Sequence, residues 1–253
     1  MYSSILVFDS GVGGLSIVEH LQDSYKVSYL ADDARLPYGE LADDELVEGA
    51  VKLIKQVIAK QPIDAVIVAC NSASTLILPH LRMAITQPVV GVVPAIKPAA
   101  ACTKNNKITL LATPGTVRRQ YTKDLINEFA KDKQVQLLGC SQLVHLAEAK
   151  LSKNTIDVSQ LQQQLLPVIQ YGSDVVVLGC THFPLLAEEI QDYLGEQVKL
   201  IDSSDAIRRR VEQLLPMTNQ AELLQAWFTS GKVTMGKALK DFGFKQTEVL
   251  NSD

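Results

Sequence analysis

The chain has 253 residues, 47% of them hydrophobic and 21% charged, with a formal net charge of -4. That length suits one large or two small globular domains, each able to bury its own core. A mildly acidic chain lacks the basic face expected of a nucleic-acid or anionic-membrane binder. No apolar run approaches the roughly 18 residues needed to span a bilayer. The start, Met1-Tyr2-Ser3-Ser4, lacks the basic region of a secretory signal, so the expected location is cytoplasmic.

In chain order, residues 5–8 read as a buried strand, followed by the turn Gly11-Val12-Gly13-Gly14 and a helical pattern over 15–21. Residues 27–31 form a second strand, and 32–40 a loop containing Pro37-Tyr38-Gly39. A long helix is expected over 41–60, with Leu46, Ala50, Leu53, Ile54, Val57 and Ile58 on its apolar side. Strands at 65–69 and 89–93 complete a β-α-β-α-β-α-β order, which implies a parallel sheet covered by helices. The pattern restarts with a strand at 108–112, the turn Thr113-Pro114-Gly115-Thr116 and a helix over 117–131. A strand at 135–138, helices at 143–150 and 159–171, and strands at 175–178 and 198–201 follow. Residues 208–215 look helical, and 227–231 read as one more strand before a short helix. The expected fold is therefore α/β, with two similar α/β domains, mostly parallel sheets and an active-site cleft between them. The first domain takes residues 1–94 and 206–253, and the second 95–205.

Two segments share one local design. Residues 64–74 read DAVIVACNSAS and residues 174–184 read DVVVLGCTHFP. Each runs from Asp through a Val-rich strand to Cys, a polar residue and an expected helix start. Ligands of open α/β sheets collect at the carboxyl ends of strands. Cys70 and Cys180, 110 positions apart, can thus aim two thiols at one ligand from opposite sides. A helix amino terminus is expected to lower a thiol's pKa, and such a group serves as a general base as well as a nucleophile. The four cysteines, Cys70, Cys102, Cys140 and Cys180, show no C-x-x-C or zinc spacing and are expected to be thiols without metal. Cys102 and Cys140 lack the strand-end setting and are assigned to packing.

The neighbours suit proton transfer. His182 follows Cys180 by two residues, Asp9 stands at the end of the first strand, and Glu148 lies on a helix expected near His182. Ser10, Asn71, Ser72 and Thr181 offer neutral donors for a carboxylate, although the same residue types also cap helices. Tyr38 and Gly39 either form a plain turn or give a hydroxyl and an N–H to a ligand. The Asp9–Gly14 turn is compatible with anion binding at a helix start. It is not a dinucleotide fingerprint, because Ser16 stands where the third glycine belongs. Gly231–Lys237 comes close to a phosphate loop, but Ala238 replaces the hydroxyl that would hold magnesium, and the match reads as coincidence.

FDSGVGGLS at 8–16, LPYGE at 36–40, ACNSAS at 69–74 and GCTHFPLL at 179–186 resemble, in order and spacing, the signatures of bacterial glutamate racemases. The resemblance runs from Ile5 to the 228–231 segment, and 112–116 and 143–148 are similar to further family segments. It implies a cofactor-independent interconversion of L- and D-glutamate that supplies peptidoglycan synthesis. Cys70 and Cys180 would be the two acid/base groups, with Asp9, His182 and Glu148 assisting. Asp9, Ser10, Tyr38, Gly39, Asn71, Ser72, Thr113, Thr116, Thr181 and His182 would line the substrate site. The family commonly has Asn-Thr after the first Cys; Ser72 keeps the hydroxyl and loses a methyl. A homodimer with no nucleic-acid or membrane partner is implied. The alternatives are an aspartate or other amino-acid racemase of the same superfamily, or a non-catalytic binding protein on this fold.

Overall fold

The computed structural model describes residues 3–153, 155–218 and 220–251. The first unit begins with β1 (Ser4–Asp9), α1 (Leu15–Val18), β2 (Lys26–Ala31), α2 (Asp43–Lys60), β3 (Ala65–Val68), α3 (Asn71–Ala84) and β4 (Val89–Gly91). The second unit holds α4 (Ile96–Cys102), β5 (Lys107–Ala112), α5 (Pro114–Arg118), α6 (Gln120–Phe129), β6 (Gln134–Gly139), α7 (Gln142–Lys153), α8 (Val158–Tyr171), β7 (Val175–Leu178), α9 (Ala187–Leu194) and β8 (Lys199–Ile201). The chain then returns to the first unit through α10 (Ser204–Leu214), β9 (Glu222–Phe228), α11 (Val233–Phe242) and β10 (Gln246–Val249). The sheets run β10-β9-β2-β1-β3-β4 and β6-β5-β7-β8, and every strand pair is parallel.

Central parallel strands are covered on both faces and so read as unbroken apolar runs. β1, β3 and β7 are buried throughout. Along β1 the pleat sorts its side chains. Ile5 and Val7 join a core with α1, α10 and α11, whereas Leu6 and Phe8 face α2 and α3. The second sheet does the same: Leu111, Val176 and Leu178 pack under α7, α8 and α9, and Ile108, Leu110, Val175 and Val177 pack against α4 and α6. α2 buries Leu46, Ala50, Leu53, Ile54 and Val57, with Asp43, Asp44 and Glu45 in its first turn and Lys60 in its last. Those charges complement the helix dipole. The two crossings between units meet where the Ser203 hydroxyl donates to the Val93 carbonyl at 2.6 Å.

Several elements differ from their sequence reading. The helix expected over 117–131 breaks at Arg119, whose backbone is extended with ψ 143°. The strand expected at 227–231 is β9, ending at Phe228; Asp33 then accepts the Thr229 and Ser230 N–H groups, which turns the chain off the sheet. β10 escaped notice because its QTEV sequence is largely exposed at a sheet edge and carries no apolar alternation. The helix expected straight after Cys180 begins as a short 3-10 turn at Phe183–Leu186, and α9 starts only at Ala187. Gly236 and Lys237 lie inside α11, so the phosphate-loop likeness is coincidental. Among the described residues, no helix is long and apolar enough to cross a membrane.

Leu53 is 1% exposed in the α2–sheet core and Met83 is 80% exposed. Leu53→Ala should therefore cost about 3 kcal/mol through lost burial and a residual cavity, and Met83→Ala less than about 0.5 kcal/mol. Urea unfolding of both variants checks the contrast.

Candidate active site

The carboxyl ends of both sheets meet across the cleft and bring most of the expected residues into one buried cluster. Asp9 ends β1 and is fully buried. Its carboxylate accepts the Gly11 N–H at 2.9 Å and, from the second unit, the Thr181 hydroxyl at 2.9 Å. Cys70 is the N-cap residue of α3, and Asn71 and Ser72 open that helix. The Ser10 hydroxyl lies 3.8 Å from the Cys70 sulfur. Across the cleft, Cys180 Sγ is 3.8 Å from His182 Nδ1, and His182 Nε2 is 2.8 Å from Glu148 Oε1. The same Glu148 oxygen accepts the Val12 N–H of the first unit at 2.8 Å. All four cysteines are free.

The glycines of the first turn serve close approach. A Cβ on Gly11 would lie 2.1 Å from Glu148 Oε1, and one on Gly13 would lie 2.4 Å from His182 Nδ1. Neither glycine has positive φ, so the requirement is space for the second unit. Ser16 adds a further bridge, donating to Gly13 O at 2.8 Å and Thr181 O at 3.0 Å. Tyr29 supports the turn from beneath, its hydroxyl donating to Gly11 O at 2.7 Å. Sequence reading assigned neither residue. Ser16 lies within a quoted motif, whereas Tyr29 is one aromatic residue in an apolar strand and gives no signal.

Thr113, Thr116 and Ser72 form a buried hydroxyl triangle across the cleft, with oxygen separations of 2.9, 3.0 and 3.3 Å. Gly39 packs against Thr113, leaving no room for a Cβ. Tyr38 is buried, but its hydroxyl donates to Asp32, which also pairs with Arg35. Asn71 presents a buried side-chain N–H₂ with no hydrogen-bond partner among the described residues, a donor group facing the need for an acceptor. It lines a cavity of about 10 Å³ together with Cys180, Thr181 and Ser203. That space matches one water molecule. Among the described residues, no group of three His, Cys, Asp or Glu is arranged to hold a metal.

The two thiols sit in different electrostatic settings. Burial pushes the Cys70 thiol up and the charge of Asp9 pushes it further, against the opposing Ala73 N–H and Ser10 hydroxyl. The expected lowering by the α3 amino terminus is therefore overturned: desolvation of a fully enclosed sulfur outweighs the helix dipole. Burial depresses the His182 imidazole, but hydrogen bonds to Cys180 and Glu148 and the charges of both carry it well above its ordinary value. Burial raises the Asp9 carboxyl, opposed by His182, Thr181 and Gly11 and aided by Glu148.

Fold and site together define the class. The family model described as Asp/Glu/Hydantoin racemase matches residues 17–211, and the chain belongs to that family. Within it the likeness is to glutamate racemases, the enzyme class of this chain. It is 52% identical to the glutamate racemase of Shewanella loihica, over 97% of this chain and 95% of that protein. The crystal structure of Escherichia coli glutamate racemase in complex with L-glutamate and the activator UDP-MurNAc-Ala superposes with a TM-score of 0.92 at 40% identity, covering 99% of each chain. That of Francisella tularensis in complex with D-glutamate superposes at 0.79, with 26% identity over 99% of this chain and 98% of the other.

The raised imidazole has a stability consequence. A folded-state pKa above the unfolded value contributes stability that is complete below the unfolded pKa and lost as pH rises through the folded one. For His182 the loss begins above about pH 6.5. The stability difference between the wild type and His182→Asn should therefore shrink as pH rises above that value, measured by urea unfolding at a series of pH values.

Proposed function

We propose that the chain interconverts L- and D-glutamate by direct proton transfer at Cα, with Cys70 and Cys180 as the two acid/base groups and no cofactor. The observation that carries this reading is the pair of free, buried thiols at the ends of two facing parallel sheets, each with its own polar assistant. Racemisation removes the α-proton from one face and returns a proton to the other. One base would have to swing across the substrate; two fixed sulfurs need not. One is thiolate while the other is thiol, and the roles reverse with the hand of the substrate. The pair therefore titrates as a coupled system.

The surroundings support the division of labour. Asp9 disfavours a Cys70 thiolate in the free protein; a substrate ammonium offsets that charge and releases the thiol to react. The His182–Glu148 pair holds a proton beside Cys180. Without an electron sink, the developing carbanion depends on donors aimed at the carboxylates and on a water-poor site. Ser10, Gly39, Asn71, Ser72, Thr113, Thr116 and Thr181 are the donors assigned to this role, and the unpaired Asn71 group is the strongest support among them. Tyr38 lines the site through its ring and its backbone. Closure of the two units around the substrate excludes water. The setting assigned to this activity is the cytoplasm, feeding D-glutamate to peptidoglycan synthesis, with the chain as a homodimer.

In heavy water, L-glutamate should lose optical rotation while deuterium appears at Cα of the D product, without added pyridoxal phosphate or metal. Cys70→Ser and Cys180→Ser should each lower racemisation by about a thousandfold or more. Each should still eliminate chloride from one Cα enantiomer of 3-chloroglutamate, because elimination needs a single base. Free enantiomers have equal energy, so His182→Asn and Asp9→Asn must lower kcat/KM equally in both directions while kcat falls unequally. A Cys70→Ser enzyme racemising at the normal rate, or turnover of aspartate but not glutamate, defeats the reading.

A further inference from the structure

Arg119 stands at the break between α5 and α6, where extended backbone interrupts what the sequence suggests as one helix. Its side chain leaves the second unit and ends on the first. Nη1 donates to the Ser72 carbonyl at 2.6 Å and to the Thr75 hydroxyl at 2.9 Å, and Nη2 donates to Asp43 Oδ1 at 3.0 Å. The guanidinium side chain is 13% exposed, whereas Asp43 is 65% exposed. The inner contacts are therefore the well-shielded ones.

The electrostatics of this placement are unusual. Ser72 lies in the first turn of α3 and Thr75 just past it, near the positive end of the helix dipole, where a cation is disfavoured. Stability of α3 is a poor reason to put a guanidinium there. Geometry is a better one. Ser72 is held twice across the cleft, by its hydroxyl in the triangle with Thr113 and Thr116 and by its carbonyl on Arg119. Beside it, a Cβ on Gly115 would lie 2.7 Å from the Gly39 carbonyl oxygen, so the two backbones meet there without intervening side chains. These contacts converge on the turn that begins with Cys70 and Asn71.

We propose that Arg119 is a positioning residue: it grips the start of α3 from across the cleft and fixes the Cys70 sulfur for proton transfer. A planar guanidinium reaches carbonyl, hydroxyl and carboxylate together in fixed geometry, which an ammonium cannot reproduce. The proposal rests on the two-thiol reading and adds to it that the two sulfurs are held by different means. Cys180 lies beside His182, which is held by Glu148 of the same unit; the turn that carries Cys70, beside Ser10, is gripped in addition by an arginine from across the cleft.

The test uses elimination from the two Cα enantiomers of 3-chloroglutamate, in which a base takes the α-proton, the electron pair forms the Cα–Cβ double bond and chloride leaves. Cys70→Ser first identifies the enantiomer that depends on Cys70; loss of both or neither would count against the two-thiol reading itself. With that enantiomer known, Arg119→Lys and Arg119→Met should each slow its elimination about tenfold, and leave the other enantiomer within about twofold. Asp43→Asn should leave both within about twofold, as for an exposed ion pair. Equal loss for both enantiomers, which a merely structural defect produces, overturns the proposal. So does unchanged elimination, or an Asp43→Asn variant that reproduces the whole Arg119 effect. Thermal midpoints recorded on the same samples show whether any equal loss follows unfolding.

Discussion

Thr181 joins the two units at the centre of the molecule. Its hydroxyl donates to Asp9 and its carbonyl accepts from Ser16, so one residue of the second unit is held by two residues of the first. The Val12–Glu148 bond lies alongside. These are buried polar contacts, which are strong when complete and costly when half-made. In this arrangement all three of those contacts are complete. Completed polar contacts at this seam suit a site that excludes solvent. The glycines of the first turn make the joined state possible by letting His182 and Glu148 approach the backbone.

Within the joined state the two thiols are alike in placement and unlike in charge. Cys70 is enclosed beside a carboxylate, and Cys180 lies beside an imidazole drawn toward its protonated form. The difference arises from the loops after the strands. After β3 the chain enters α3 almost at once, with Cys70 as its N-cap residue. After β7 it spends several residues in a turn, which brings His182 round to the sulfur. Identical chemistry on both faces would need identical surroundings; this chain has the same group in two settings.

The strands that carry the site are legible in the sequence because a doubly covered parallel strand has to be an apolar run, and DAVIVAC and DVVVLGC show it. The α2 face is legible for the same reason at helical spacing. Other features depend on tertiary contact and leave no local mark. The break at Arg119 has no proline or glycine at the break itself. β10 is polar because it lies at an edge. The tightness of Gly11 and Gly13 is set chiefly by Glu148, Thr181 and His182, which are distant in sequence. The direction of the Cys70 shift could not be read either, since a helix start is visible in the sequence and complete enclosure of the sulfur is not. The clustering of Asp9, Ser10, Thr181, His182 and Glu148 follows the order of the motifs, whereas the engagement of the Tyr38 hydroxyl by Asp32 does not.

The return of the chain to its first sheet has a consequence for biosynthesis. The outer edge of β2 waits for β9: Lys26, paired with Ser4 of β1 on one side, meets Glu222 on the other. The four strands of the second sheet, by contrast, lie within residues 107–201, so that unit can fold as a continuous piece while the ribosome still holds the carboxyl-terminal segment. Until that segment emerges, β2 presents an open strand edge, a surface prone to mispairing with other chains. Asp33, beside the loop that carries Tyr38 and Gly39, also lacks its Thr229 and Ser230 partners until then. A nascent chain therefore gains the edge of its first sheet and the partners of Asp33 only at the end of synthesis.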